Sequence, residues 1–432
     1  MTTLAIVGGR LLQPELAVDR ADVLVDRESG EILAIEPDLA DDADETLDAT
    51  DSLVTPGFVN GHCHVAMTLL RGYADDKPLE AWLHEDIFPA EAQLTPDAIE
   101  AGAELGICEM IRAGVTAFAD MYFEMDRVAA AVERAGVRAR LGHGVISVGK
   151  DHEDARADAD TGLAFAREYD GAADGRIRTA FMPHALTTVS TAIFEEFVPK
   201  AREEGLPIHI HANETEHEVT PIVDEHGVRP LEYARDLGLL EPEDFLAHGV
   251  HLDDTEIEIL AETGASVIHC PASNMKLASG MAPVQAMLDA GVSVGVGTDG
   301  AASNNDLSLL DELRDAAMIG KLAAGDAAAV SAESVVHMAT AGGADAIGLP
   351  GGRLEAGAPA DLAVIDLGKP HLTPLHDPVS HLAYAVAASD VRHTICDGQV
   401  LMRDREVQTL DEEAVRERAV AEAASLVERV ED

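Results

Sequence analysis

From about residue 53 to residue 350 the chain repeats one rhythm. A short apolar run ends in polar or histidine residues, and a stretch of helical periodicity follows. The candidate strands are Ser52–Val59, Gly114–Asp120, Val137–Val145, Ile177–Pro183, Leu206–His211, Phe245–His251, Ala265–His269 and Val292–Gly297. Between them lie helical stretches such as Thr95–Arg112 and Asp126–Ala135. Thr95-Pro96-Asp97 reads as an N-cap with proline at the first helical position, where its missing N–H is not needed. Strands alternating with helices demand a parallel sheet. Eight such units predict a closed (β/α)8 TIM barrel of α/β class over residues 55–352, with its functional groups at the C-terminal strand ends.

The flanks follow another pattern. Leu4–Val7, Asp22–Asp26 and Glu31–Ile35 read as short strands, as do Asp361–Asp366 and Val391–Asp397, the last ending in an Asp397-Gly398 turn. Residues 1–54 and 353–404 are therefore expected to form a small composite β-sandwich domain from both termini. The remainder, 405–432, is expected to be a C-terminal helix, periodic from Leu410 to Val430.

Composition narrows the function classes. The 432 residues can bury a large core, and 47% are apolar, an ordinary globular fraction. No apolar run is long enough to span a bilayer. The start, Met1-Thr2-Thr3-Leu4, lacks a basic segment followed by an apolar one, so a cytoplasmic protein is expected. Cys63, Cys108, Cys270 and Cys396 are far apart with no CxxC pair, which argues against a disulfide framework and a thiolate zinc site. The net charge is −50, from 80 acidic and 30 basic residues spread along the chain. This suits a cytoplasm of very high salt, where a Debye length of about 3 Å near 1 M weakens self-repulsion. Nucleic acid and anionic membranes are poor partners for such a surface.

The chemistry begins at Gly61-His62-Cys63-His64. On a strand, the period of two puts His62 and His64 on one side, and two imidazoles at a strand end make half of a metal site. Further along stand His211 with Glu214, then His248, then Thr298-Asp299-Gly300. Together these groups would hold a divalent ion, an activated water and a proton shuttle. His209 lies two positions before His211 and is expected behind the site, as a hydrogen-bonded or core histidine. Glu216 and Glu218 are expected at the surface, and His251 in a loop.

Five segments carry a resemblance. They are Pro56–His64, Leu69-Leu70-Arg71-Gly72, His209–Thr215, His269–Leu277 and Gly297–Asn305. With them the chain resembles the amidohydrolase superfamily over nearly its whole length. Within it, the chain is similar to deaminases of adenosine derivatives (S-adenosylhomocysteine and 5′-methylthioadenosine) and their chlorohydrolase relatives. The resemblance implies metal ligation by His62, His64, His211 and Asp299. It makes Glu214 the proton shuttle and sets His248 against the substrate and the water. It assigns the ribose hydroxyls to Glu91 and a pocket-lining place to His184. The implied ion is one Zn²⁺, with Fe²⁺ or Mn²⁺ compatible with the same N/O donors. The fourth strand ends in Met182-Pro183-His184 with no lysine to form a bridging carbamate, which favours a single metal. Trp82 is expected either over the apolar end of the substrate or in the core, and Ser273 and Asn274 in the seventh loop.

The chain departs from its relatives where a homocysteine tail would bind. His143 stands where an arginine is common, and Arg156 is the candidate for a second arginine. The segment after His184 lacks the usual tyrosine. A smaller 5′ group, methylthio or plain 5′-deoxy, is therefore expected. The implied partner is a small nucleoside, and a homo-oligomer is compatible with the family. Two other readings remain open: a guanine, other heterocyclic-base or triazine hydrolase, and a non-catalytic barrel. Glu91 speaks against a free base, which has no ribose, and the complete ligand set speaks against the last. The HxE and PCxxC pair of the zinc cytidine deaminases is absent.

Overall fold

A computed structural model describes residues 2–431. Its parallel strands are β1 (Phe58–His64), β2 (Val115–Tyr122), β3 (Arg138–Val145), β4 (Ile177–Thr179, resuming as Met182–Pro183), β5 (His209–Ala212), β6 (Phe245–His248), β7 (Ser266–His269) and β8 (Val294–Val296, resuming as Asp299–Gly300). Parallel pairing joins β1 to β2, β3 and β4 in turn. It also joins β5 to β6, β7 and β8. Bridges Phe181↔Ile208 and Ala185↔His211 link the two runs, and Asp299 and Gly300 pair with Cys63 and His64. Crossover helices follow the strands, among them α1 (Pro96–Arg112), α2 (Met125–Ala135) and α3 (His152–Tyr169). Thr95 caps α1 by accepting the N–H of Ala98 at 3.2 Å, as its sequence predicts. Gly136 ends α2 in the left-handed conformation that glycine adopts without strain.

Inside the strands, Val59, Ala117, Ala119, Met121, Phe245 and Ile268 share one buried apolar cluster. A Cβ added at Gly297 would lie 2.7 Å from the carbonyl oxygen of His62 and 2.8 Å from its nitrogen. Glycine there lets β8 pass directly against the His62 backbone. Among the described residues, no helix is long and apolar enough to cross a bilayer.

The first strand differs from its predicted span of Ser52–Val59. It breaks at Pro56-Gly57. Ser52–Pro56 pairs antiparallel with Leu362–Asp366, whereas β1 begins at Phe58 and pairs parallel with β2. The reason is steric: a Cβ at Gly57 would lie 2.1 Å from Thr116 Oγ1, so only glycine can make the change of sheet here.

Ser52–Pro56 belongs to a seven-stranded sheet that also takes Arg10–Leu12, Val18–Arg20, Leu362–Asp366, Val391–Cys396, Gln399–Arg403 and Glu406–Val407. A four-stranded sheet of Glu31–Glu36, Asp22–Asp26, Thr3–Val7 and Glu45–Asp48 stands apart from it. Leu4, Ile6, Val23 and Val25 of the smaller sheet share a buried cluster with Val54, Leu362, Val364 and Ile395 of the larger. Asp397 and Gly398 both have positive φ, the geometry of a tight hairpin turn. Buried Arg138 at the foot of β3 donates to Asp361 at 2.7 Å and to Asp397 at 2.6 Å, tying the central strands to this sheet. The final helix, Glu412–Glu431, packs on α1, where Arg112 meets Glu412 at 2.9 Å.

Candidate metal centre and pocket

Three histidines present one nitrogen each to a common point, because the other nitrogen is anchored. His64 Nδ1–H donates to the Met121 carbonyl at 2.6 Å, and His211 Nδ1–H to the His184 carbonyl at 2.7 Å. A carbonyl can only accept, so both rings keep their Nε2 lone pair free. His62 is anchored through a relay. His209 Nδ1–H donates to the Phe245 carbonyl at 2.8 Å, which leaves His209 Nε2 to accept from His62 Nδ1–H, also at 2.8 Å. The buried Nε2 of His62 then has no hydrogen-bond partner. Such a group is costly to bury unless something binds it. The donor nitrogens of His62, His64 and His211 all lie within 4.8 Å of one another, and the same holds for donor atoms of His62, His248 and Asp299. Three imidazoles and a carboxylate around one point fit a divalent cation such as zinc.

Asp299 completes the point from β8. Its Oδ2 accepts the hydroxyls of Ser273 and Ser303, both at 2.7 Å, which turns Oδ1 toward His64 Nε2 at 3.2 Å and His62 Nε2 at 3.5 Å. Burial works against its charge, yet the neighbouring imidazoles of His62 and His64 hold its carboxyl well below the usual carboxylate range. Burial keeps His62 neutral, with its pKa at about 3. Asp299 and His248 both have positive φ, at 60° and 77°. Strained backbone of this kind persists where surrounding structure holds it, often at functional sites.

Glu214 follows β5 and is 6% exposed. Its Oε1 accepts the Ser279 hydroxyl at 3.0 Å, and its Oε2 lies 3.7 Å from His248 Nε2. Burial raises the Glu214 pKa despite the opposing charge of His248. The Nδ1–H of His248 donates to Asn274 Oδ1 at 3.0 Å, so its other nitrogen faces the cavity. Burial disfavours the charged ring, but the carboxylates of Glu214 and Asp299 outweigh it and raise the His248 pKa.

These groups floor a cavity. Its walls include Met67, Leu79, Trp82, Leu83, Phe88 and Phe123, with Glu91 and His184 as polar points. Glu91 Oε1 accepts the Tyr122 hydroxyl at 2.6 Å. His184 Nδ1 meets Thr188 Oγ1 at 2.9 Å. The wall from Leu79 to Glu91 contains a π-helical turn, Leu83–Ile87, of a kind found often at functional sites.

Residues 53–401 match the model of the amidohydrolase family. The chain belongs to this family. Among the relatives of this amidohydrolase is the 5-methylthioadenosine/S-adenosylhomocysteine deaminase of Natronomonas pharaonis, 65% identical over 431 residues and covering 100% of both chains. The 5′-deoxyadenosine deaminase of Methanosarcina mazei is 47% identical over 403 residues, covering 93% of each. A solved adenosine deaminase from Xanthomonas campestris with bound zinc superposes with a TM-score of 0.92, is 36% identical, and covers 100% of this chain and 99% of its own.

In this amidohydrolase, His64, Glu91, His184, His211, Glu214, His248 and Asp299 line the cavity, and fully buried His62 joins them through the cluster of donor atoms. His209 lies behind His62, and His251 is a loop residue bonded to the Ser279 carbonyl at 2.7 Å. Trp82 is buried, bonded through Nε1 to the Ala74 carbonyl at 3.0 Å, and lines the cavity. Two expected substrate contacts fail. Arg156 projects from the exposed face of α3 and pairs with Glu196 at 2.6 Å. His143 turns toward α3, where its Nε2 meets Asp158 at 3.0 Å. Glu218, expected at the surface, lines the cavity instead and accepts the Glu214 N–H at 2.9 Å. Burial, then the neighbouring Glu214, push its carboxyl up to about 7. Its spacing of four from Glu214, in the first turn of a helix starting beside the site, is the signal that marks it. Tyr122, the last residue of β2, also escapes sequence reasoning.

Proposed function

We propose that this chain hydrolytically deaminates a 5′-modified adenosine, such as 5′-methylthioadenosine, 5′-deoxyadenosine or S-adenosylhomocysteine, to the inosine analogue and ammonia. One observation carries the reading. Anchored imidazole nitrogens, Asp299 and the carboxyl of Glu214 converge on the floor of a cavity whose wall holds Glu91. His62, His64, His211 and Asp299 would hold one ion, Zn²⁺ by preference, with Fe²⁺ or Mn²⁺ accepting the same donors. That ion, when bound, lowers the pKa of a water to about 7 and so supplies a nucleophile at neutral pH.

The chain's own residues do the rest. Glu214 Oε2 takes a proton from the attacking water and delivers it to purine N1, and its raised pKa suits it to carry that proton. His248 offers Nε2–H to the oxygen that joins C6, so charge forming there meets a fixed donor. Glu91 has Oε2 left for ribose hydroxyls while Tyr122 holds Oε1. His184 presents its Nε2 to the nucleoside. The water's second proton then passes from the C6 hydroxyl to the amino group, the C6–N bond breaks, and ammonia leaves as that oxygen becomes the C6 carbonyl.

The same reading takes the architecture as a closed (β/α)8 barrel over residues 55–352. Residues 1–54 and 353–404 then form a composite β-sandwich, and 405–432 the terminal helix. The continuous parallel pairing and the apolar cluster shared by the two terminal sheets support it. The acidic surface and the salt-adapted sources of several relatives support a cytoplasm of molar salt as its setting.

The test is metal content and ammonia release in molar salt, with 5′-methylthioadenosine, 5′-deoxyadenosine, adenosine and guanine. Glu214→Gln should retain its metal and lose about 10²–10⁴ in kcat. Metal-loaded protein that prefers guanine, or that releases ammonia from none of these purines, would overturn the reading.

A further inference from the structure

Taking deamination of a 5′-modified adenosine as the activity, we infer that Asn274 and Ser279 are positioning residues that hold His248 and Glu214 back from each other, so that both face the nucleoside instead of pairing. The facing atoms, Glu214 Oε2 and His248 Nε2, lie 3.7 Å apart. That gap exceeds the ordinary N–H···O distance of about 2.7–3.2 Å. A carboxylate and an imidazole this close, buried together, shut into a charge-assisted hydrogen bond of about 2.7–2.9 Å unless something restrains them. Once shut, Glu214 Oε2 and the Nε2–H of His248 would be occupied by each other, and neither could serve the substrate.

Both restraints come from the loop after β7. Asn274 Oδ1 accepts the Nδ1–H of His248 at 3.0 Å, and the Ser279 hydroxyl donates to Glu214 Oε1 at 3.0 Å. Each grips the atom of its partner that does not face the gap. The two restraints are also joined, because the N–H of Ser279 donates to the Asn274 carbonyl at 2.9 Å. The loop is braced in turn. Ala272 N–H donates to Glu312 at 3.1 Å, and Lys276 reaches Asp75 at 2.7 Å and the Ala302 carbonyl at 2.9 Å. His251 holds the Ser279 carbonyl at 2.7 Å. Asn274 is 1% exposed and Ser279 7%, so bulk water does not compete for either grip.

Ser279→Ala removes one restraint with little change of volume. Crystals of the zinc-loaded proteins, grown in molar salt, should keep the gap near 3.7 Å in wild type and show it below about 3.2 Å in the variant. With 5′-methylthioadenosine, kcat of Ser279→Ala should fall about 10–100-fold while KM moves less than about threefold, at unchanged zinc content. Asn274→Ala should show the same split. Ser279→Thr keeps the hydroxyl and should return kcat to within about threefold of wild type. A gap that stays open in Ser279→Ala, a loss carried by KM, or an equal loss in Ser279→Thr would overturn the inference. A gap that shuts in Ser279→Ala, beside a wild type that releases no ammonia, would uphold the restraint and strike at the proposed activity.

Discussion

His62 depends on two residues in series, the ring of His209 and the carbonyl of Phe245, for the direction of its lone pair. Both links are needed, since a histidine that donates from the wrong nitrogen cannot bind an ion with the right one. His209→Gln is expected to fold, because it keeps polarity and reach, and to bind its metal about 10–100-fold more weakly. Competition with a chromogenic chelator measures this directly, and an unchanged affinity would show that His62 needs no relay. Much of this site is legible in primary order. Polar groups at strand ends leave short signatures, and His62, His64, His211, Glu214 and Asp299 converge where theirs place them. Facing is what primary order conceals. Arg156 and His143 have suitable chemistry at a suitable depth, but α3 shows one to solvent and draws the other to Asp158.

At the level of elements, the break at Pro56-Gly57 shows a second limit. Leu53 and Val54 before the break and Phe58 and Val59 after it are alike apolar and buried, so periodicity gives no sign that the chain leaves one sheet for another. The signal is the dipeptide itself, a proline followed by a glycine within an otherwise continuous run. Five of the terminal strands and the two predicted helices, by contrast, are legible because alternation, caps and turn residues mark them locally, whereas short strands such as Arg10–Leu12 and Val18–Arg20 are not. Joining these parts falls to Arg138. Its partner Asp361 is 1% exposed and also accepts the Asp397 N–H at 2.7 Å. Arg138→Ala would leave that carboxylate buried without its cation. A loss of about 3–5 kcal/mol is expected, read as a lower denaturation midpoint in molar salt. A loss below about 1 kcal/mol would mean that the ion pair does not couple strand β3 to the terminal sheet.

Across the whole molecule, acid should weaken the fold through imidazoles that burial keeps neutral. Burial pushes His269 down to about 3, and burial, only partly opposed by Asp404, pushes His393 down to about 4. Both values lie below the usual 6.5, so the unfolded chain takes the proton first. The stability these groups contribute is complete above pH 6.5 and is lost as pH falls toward their folded values. Between pH 7.5 and pH 5 each loss is about 2 kcal/mol. His393→Gln should therefore show a drop smaller by about that amount, measured by chemical denaturation at the two pH values. Equal drops in both proteins would exclude the assignment. The seven-stranded sheet has another consequence, one of timing. It sets Ser52–Pro56 beside Leu362–Asp366, and β8 brings Asp299 against a strand that left the ribosome more than two hundred residues earlier. During synthesis the early half has neither its sheet neighbour nor the Asp299 carboxylate, so no nascent fragment ending before the eighth strand can bring the four proposed donors together.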